Sequence, residues 1–397
     1  MDKKANIKIG ILSLYFNNYN IGGLLQSYAT VNIINSFGYC AEQICYDFSV
    51  SNEESIKYQL ERRKRLLYTL GIKIALSKFE SICSHLFKRK NDLKFNLILE
   101  KQNSIFKEFE NFIPHSKEVY TINDIDYVND IYDEFVVGSD QVWNPGLLAH
   151  DAMYLRFADS TKRKITYAVS MGKSSLISYE SNIFAEKISN FKEIAVREKS
   201  LKNLIEHSFD KKCITVLDPT LLLDYSQWKK IENPSIVPGE KYVFCYFLGN
   251  CGWQRALVQK FADEYNYLII DIPYIMGKRR KSDRILKGEK KYDVGPREFI
   301  SLVKNAEYVF TDSFHAVAFS VNFKTNFYVF DRDGLSGNKS INSRITDFLD
   351  MLSLSNRRII SKKSKMKPIP IDYLKAISIL EIEIKKSKEW LKKQLSL

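Results

Sequence analysis

Short runs rich in Val, Ile and Phe recur along almost the whole chain, and most are followed by a stretch with helical apolar spacing. Strands this short and this uniformly apolar suit burial on both faces. When they alternate with helices, they read as βαβ units and hence as parallel sheets. At the start, KIGILSLY reads as a strand, LLQSYATVNIINSF as a helix and AEQICYDF as a second strand. Leu24, Tyr28, Val31 and Ile34 fall near helical spacing, and Gly38 stands where a left-handed residue ends a helix at little cost. The runs DEFVVGS, KITYAVS, EIAVRE and CITVLDP continue the series as strands.

Two prolines and a glycine in ENPSIVPGEK break the pattern and mark a linker. A second series follows. KYVFCYFLG, YLIIDIPY, AEYVFTDS and NFYVFDR read as strands, with WQRALVQKFADEYN, GPREFISLVKNA and HAVAFSVNF as helices between them. The chain of 397 residues is too long for one ordinary core and suits two. The expected fold class is therefore α/β, with two Rossmann-like domains facing each other across a cleft, over residues 1–232 and 240–368. Residues 369–397 form an amphipathic C-terminal helix carrying Ile377, Leu380, Ile384 and Leu391 on one face.

A helical insertion over about residues 56–112 interrupts the first series, with Leu67, Leu70 and Ile74 at helical spacing beside Arg62–Arg65. Between Lys57 and Lys101 stand twelve Lys and Arg against four Asp and Glu, a large share of the net charge of +13. A second basic cluster runs from Lys278 to Lys291. Solvated helix faces, contact with an anionic membrane surface and an anionic ligand are the open readings of this charge. The apolar run at the N-terminus reads as a buried strand rather than a signal peptide, and no stretch approaches the ~18 apolar residues of a membrane span. Six scattered cysteines without CxxC spacing read as reduced residues of a cytoplasmic protein. No metal-ligand spacing and no Gly-rich phosphate loop occur, which removes support from kinase, dehydrogenase and zinc protease readings.

Polar residues cluster where strands end, which is where open α/β sheets bind ligands. Five segments qualify. In Gly138-Ser139-Asp140-Gln141-Val142-Trp143, the polar groups offer donors and acceptors, and Trp143 offers a ring on which a sugar could stack. The alternative is a turn with a buried tryptophan. Arg197 follows a strand and suits a carboxylate or phosphate clamp, unless it merely pairs with Glu198. Asp218 precedes Pro219 and Thr220, in a functional or a purely structural turn. His315, after Ser313 and Phe314, stands at a helix N-terminus and is the strongest candidate for proton transfer. Ser343 and Arg344 open a further helix, where Arg344 either reaches the cleft or lies on the surface.

Together the segments YNIGGLLQSYA, FVVGSDQVWNP, YAVSMG, AVREKS, VLDPTLLL, FTDSFHAVAFSVNF and NSRITDFL resemble, in order, those of the polysaccharide pyruvyl transferases, particularly the capsule and exopolysaccharide branch. The resemblance implies a GT-B-like fold and transfer of the pyruvyl group of phosphoenolpyruvate to two sugar hydroxyls as a cyclic ketal. It implies phosphoenolpyruvate as co-substrate and a sugar or oligosaccharide acceptor, soluble or lipid-linked, with no other cofactor and no nucleic acid. Mg²⁺ accompanying the phosphate stays open, as does peripheral contact with the inner face of the membrane. In better-known branches an arginine-containing motif precedes the histidine. Here Ser313-Phe314-His315 lacks that arginine, and Arg344 is the substitute. On this reading Arg197, Arg344, Ser313, Ser343 and His315 bind the donor, and His315 donates the proton or stabilises departing phosphate. Asp140 is the base toward the acceptor, and Ser139, Gln141, Trp143 and Gln26 position the sugar. Glycosyl transfer from a nucleotide sugar on the same fold, and a non-enzymatic basic scaffold, are the competing functions.

Overall fold

The computed structural model describes residues 6–70, 93–173, 175–274, 280–332 and 342–396. The first sheet is wholly parallel, in the order β3-β2-β1-β4-β5. Its strands are β1 (Lys8–Leu12), β2 (Cys40–Tyr46), β3 (His115–Tyr120), β4 (Glu134–Val137) and β5 (Arg163–Thr166). Parallel bridges from Asp140 to Val169 and from Val169 to Val196 carry it onward to β6 (Ile194–Val196) and β7 (Cys213–Thr215). The second sheet is also parallel, in the order β10-β9-β8-β11-β12-β13. Its strands are β8 (Tyr242–Tyr246), β9 (Leu268–Ile272), β10 (Glu289–Lys290), β11 (Tyr308–Thr311), β12 (Phe327–Phe330) and β13 (Arg358–Ile359). Each sheet thus reverses its strand order beside its first strand, the Rossmann arrangement, and the expected α/β fold with two Rossmann-like units is borne out.

Burial explains the legibility of the strands. β1, β4, β8, β11 and β12 are apolar because helices cover both of their faces, and nearly every residue in them is buried. The edge strand β3 reads HSKEVY, with three exposed residues, and has no apolar run to announce it. One contiguous apolar core passes from Ile9 and Leu24 through Trp228 to Phe319 and Val329, so the two sheets share a core. Across the junction, Asn322 donates to the carbonyls of Thr220 (3.1 Å) and Leu223 (2.9 Å), and Phe319 meets Trp228 edge-on.

The insertion is helical over Glu53–Leu70 and Leu93–Glu110, while Ile74, Cys83 and His85 lie outside the described residues, as do Lys278 and Arg279 of the second basic cluster. Tyr58 donates to the Pro145 carbonyl at 2.6 Å and Arg62 pairs with Glu180, which pins the first of these helices beside the loop after β4. Phe106 and Phe109 bury the second. Among the described residues no helix is long and apolar enough to cross a membrane.

The C-terminal helix (Leu374–Gln394) crosses back to the first sheet. Tyr39 donates to the Leu395 carbonyl (2.6 Å), Arg163 to that of Gln394 (2.9 Å), and Trp390 Nε1 to Glu193 (3.2 Å). Leu391 is fully buried in this contact. Leu391→Ala should therefore destabilise the protein by roughly 2–5 kcal/mol. A lowered urea midpoint with an unchanged slope is the expected reading.

Candidate active site

The loops after β4, β6 and β7 and the helix after β11 converge at the junction of the sheets. The loop after β4 turns at Gly138, whose φ of 122° favours glycine and where a Cβ would lie 2.0 Å from the Tyr167 carbonyl oxygen. Gln26 Oε1 accepts the Ser139 N–H at 3.1 Å, and Ser139 Oγ lies 3.1 Å from the Ala168 carbonyl and 3.2 Å from Asp218 Oδ2. Asp140 follows in a left-handed conformation and aims its carboxylate at Arg197.

Arg197 is the hub. Its Nη2 lies 2.9 Å from Asp140 Oδ1 and its Nη1 2.5 Å from Asp218 Oδ2, and the side chain is 2% exposed. Asp218 Oδ1 accepts from the Thr220 backbone (3.0 Å) and hydroxyl (2.7 Å), so one carboxylate both caps a turn and holds the arginine. Phe314 places its ring 4.6 Å from the Arg197 guanidinium carbon. His315 Nε2 stands 3.7 Å from Asp218 Oδ2, beyond hydrogen-bond length, and is buried without a hydrogen bond among the described residues. The imidazole rests against the first turn of the helix Ile21–Ser36. A Cβ on Gly22 would lie 2.0 Å from His315 Nδ1, so only glycine leaves room for the ring.

Arg344 reaches the same cluster from the helix Ser343–Met351. It is buried, with Nη1 3.6 Å from Asp140 Oδ1, and with the Gln141 amide oxygen turned toward it both Nη atoms lie 3.3 Å from that oxygen. Burial and the like charge of Arg197 push its pKa down to about 10. Burial pushes the Asp140 carboxyl up, but Arg197, His315 and Arg344 outweigh this and hold it below the usual range. Asp218 is held lower still, as contact with His315 and the Arg197 charge overcome its burial. Glu198 shifts the other way because burial dominates; it accepts from Ser170 Oγ at 2.8 Å rather than pairing with Arg197. A cavity of about 580 Å³ borders Arg197, Asp218 and Phe314 and extends beneath Lys199, Lys202 and Phe348. Among the described residues no three His, Cys, Asp or Glu side chains are placed to hold a metal.

Asp140, Gln141, Arg197, His315 and Arg344, singled out from the sequence, meet in one cluster. Ser313 is buried at the N-cap of the His315 helix and Ser343 half-buried at the start of the Arg344 helix. Three expectations are corrected. Trp143 is fully buried, stacked 5.6 Å from Tyr154 with Nε1 donating to Met153, so it offers no face to a sugar. Ser139 and Gln26 are fully buried as well, and their hydrogen bonds hold the Asp140 loop rather than meet an acceptor. Asp218 and Gly22 are the residues that sequence reasoning undervalued; the Asp-Pro-Thr turn after a strand was the available signal for the first.

The family model described as polysaccharide pyruvyl transferase matches residues 20–334. The chain belongs to that family. Arg344 lies beyond the matched span, while Asp140, Arg197, Asp218 and His315 lie inside it. No curated protein sequence matches the chain. Among solved structures, the UDP-GlcNAc 2-epimerase of Methanocaldococcus jannaschii with UDP-GlcNAc and UDP is 13% identical, covers 98% of this chain and 99% of its own, and has a TM-score of 0.48. The Neisseria meningitidis UDP-GlcNAc 2-epimerase is 11% identical over 96% and 99%, with a TM-score of 0.42. The glycosyltransferase SnogD from Streptomyces nogalater is 6% identical over 98% and 95%, with a TM-score of 0.40. Likeness at this level carries no chemistry.

The depressed Asp218 carboxyl ties this family member's stability to pH. Its folded pKa lies below the unfolded value, so its contribution is complete above about pH 5 and is lost as the pH falls through and below 4. Asp218→Asn leaves Arg197 short of one anion, and a loss of roughly 3–5 kcal/mol at pH 7 is expected. Unfolding midpoints from pH 7 to 3 should fall less steeply for the variant than for the wild type.

Proposed function

We propose that this transferase moves the pyruvyl group of phosphoenolpyruvate onto two hydroxyls of a sugar in a cell-surface polysaccharide or its precursor. The observation that carries the reading is Arg344, a buried cation whose Nε has no partner among the described residues, next to Arg197. Two guanidinium groups beside a helix N-terminus suit a small ligand that bears both a phosphate and a carboxylate.

The chemistry needs a proton at the methylene carbon of the donor and a sugar oxygen at the adjacent carbon. Adding one hydroxyl across the double bond supplies both. The second hydroxyl then displaces phosphate, its proton leaving with the phosphate, and the ring closes. Arg344 and Arg197 hold the donor's anionic groups, with Ser313 and Ser343 as further donors of hydrogen bonds. His315 moves the proton, with Asp218 behind it to stabilise the imidazolium. Asp140 is not the base in this scheme. A carboxylate held below its usual range between two arginines is a weak base, and its part is to orient their forks.

Calorimetric titration with phosphoenolpyruvate should show one saturable site in the wild type and at least roughly tenfold weaker binding in Arg344→Ala, the cost of one charge-assisted contact. Binding of UDP-GlcNAc instead of phosphoenolpyruvate would replace the reading with glycosyl transfer. His315→Ala should keep its affinity for phosphoenolpyruvate and lose about 10²–10⁴-fold in phosphate release with acceptor present. Near-normal turnover would remove His315 from the chemistry.

A further inference from the structure

A second cavity, of about 220 Å³, opens beside the first turn of the helix Ile21–Ser36. Tyr19 and Asn20 line it from the first sheet's side, Gln102 from the inserted helix Leu93–Glu110, and Tyr246, Tyr274 and Arg332 from the ends of β8, β9 and β12. None of the three tyrosine hydroxyls makes a hydrogen bond among the described residues, and all three side chains are half-buried. The Gln102 amide is equally without a partner there, although the residue is only 9% exposed. Arg332 donates from Nη2 to the Asp312 carbonyl at 3.0 Å, while its buried Nε makes no hydrogen bond among the described residues. Each ring is braced by one neighbour: Tyr19 by Phe106 at 6.0 Å, Tyr246 by Phe299 at 5.2 Å, and Tyr274 by the Arg280 guanidinium at 3.7 Å.

We infer that this cavity is the subsite for the acceptor's pyranose ring, and that the inserted helix supplies one of its walls. Three braced rings whose hydroxyls, like the Gln102 amide, make no hydrogen bond among the described residues, beside a guanidinium with an N–H to spare there, match a ligand with apolar C–H faces and a rim of hydroxyls. The volume lies below the ~300 Å³ at which pockets for drug-sized ligands begin, which fits one sugar ring and not a nucleotide. The position ties the cavity to the acid–base group. Asn20 and Ile21 lead directly to Gly22, the residue against which His315 rests, and Arg332 Nε stands 3.9 Å from Asp312 Oδ1, three residues before His315. A ring held here lies beside the first turn of the helix against which His315 rests, with Gln102 of the insertion in its wall. Acceptor choice would then be set partly by a segment that is not one of the sheet elements.

The subsite rests on the pyruvyl-transfer reading, and the test separates the two. Saturation-transfer NMR of the full chain with free galactose, glucose, mannose and N-acetylglucosamine should give a signal for at least one of them. Titration of that sugar should show roughly tenfold weaker binding in Tyr274→Ala and in Gln102→Ala, and a smaller loss in Tyr274→Phe, which keeps the ring. Absence of signal from all four sugars, binding unchanged in both alanine variants, or displacement of the sugar by UDP alone overturns the assignment. Phosphoenolpyruvate calorimetry on the same wild-type sample tells the failures apart. Sugar binding without phosphoenolpyruvate binding removes the donor reading and leaves the subsite, whereas the converse removes only the subsite.

Discussion

A guanidinium taken out of water has to be met by anions, and the buried Arg197 imposes that demand on everything near it. Asp140 and Asp218 meet it from the loops after β4 and β7, while Arg197 itself follows β6. Three strand ends are therefore tied by one charge. Phe314, on a helix of the second sheet, covers the same guanidinium, so the constraint extends across the junction and fixes where His315 can stand. The arrangement of Arg344, Gln141 and the Asp140 loop follows from it.

The charges in the cluster are nearly balanced, and the imbalance is local. Arg197 has two carboxylates in contact, whereas Arg344 shares only one of them, at 3.6 Å. Glu198 is the third carboxyl nearby, but burial raises its pKa and its oxygen is occupied by Ser170. Arg344 is therefore the cation that an incoming anion would stabilise most. A site satisfied on its own would bind anions weakly; this one keeps a deficit of negative charge beside Arg344.

Strand ends made much of the site legible. Asp140, Arg197 and His315 stood out because each follows an apolar run, and a polar residue there has few reasons to exist other than a turn or a ligand. Side-chain direction was not legible. Trp143 sits among polar neighbours in sequence, yet its ring points into the core beside Tyr154 and Phe184. Gly22 carries no chemistry of its own and matters only because His315 arrives against it from the other sheet. The tyrosines of the cleft share no motif, since they come from separate elements and meet only when both sheets are in place. β3 escaped notice for a different reason: an edge strand needs no apolar run, and its charges protect the edge.

The C-terminal helix bears on the site more directly than its place at the end of the chain implies. Ser387 Oγ accepts the Leu217 N–H at 2.9 Å, and the Leu217 carbonyl accepts Tyr167 Oη at 3.1 Å. The backbone immediately before Asp218 is thus held between the tail helix and the strand-end segment after β5. Tyr167 is also the residue whose carbonyl closes the space over Gly138, at the start of the Asp140 loop. Both carboxylates of Arg197 are therefore referred to the same residue, and one of them to the tail as well. A chain that left the first sheet, built the second and did not return would leave Asp218 without this support. The returning tail thus buttresses the Asp218 side of the Arg197 cluster.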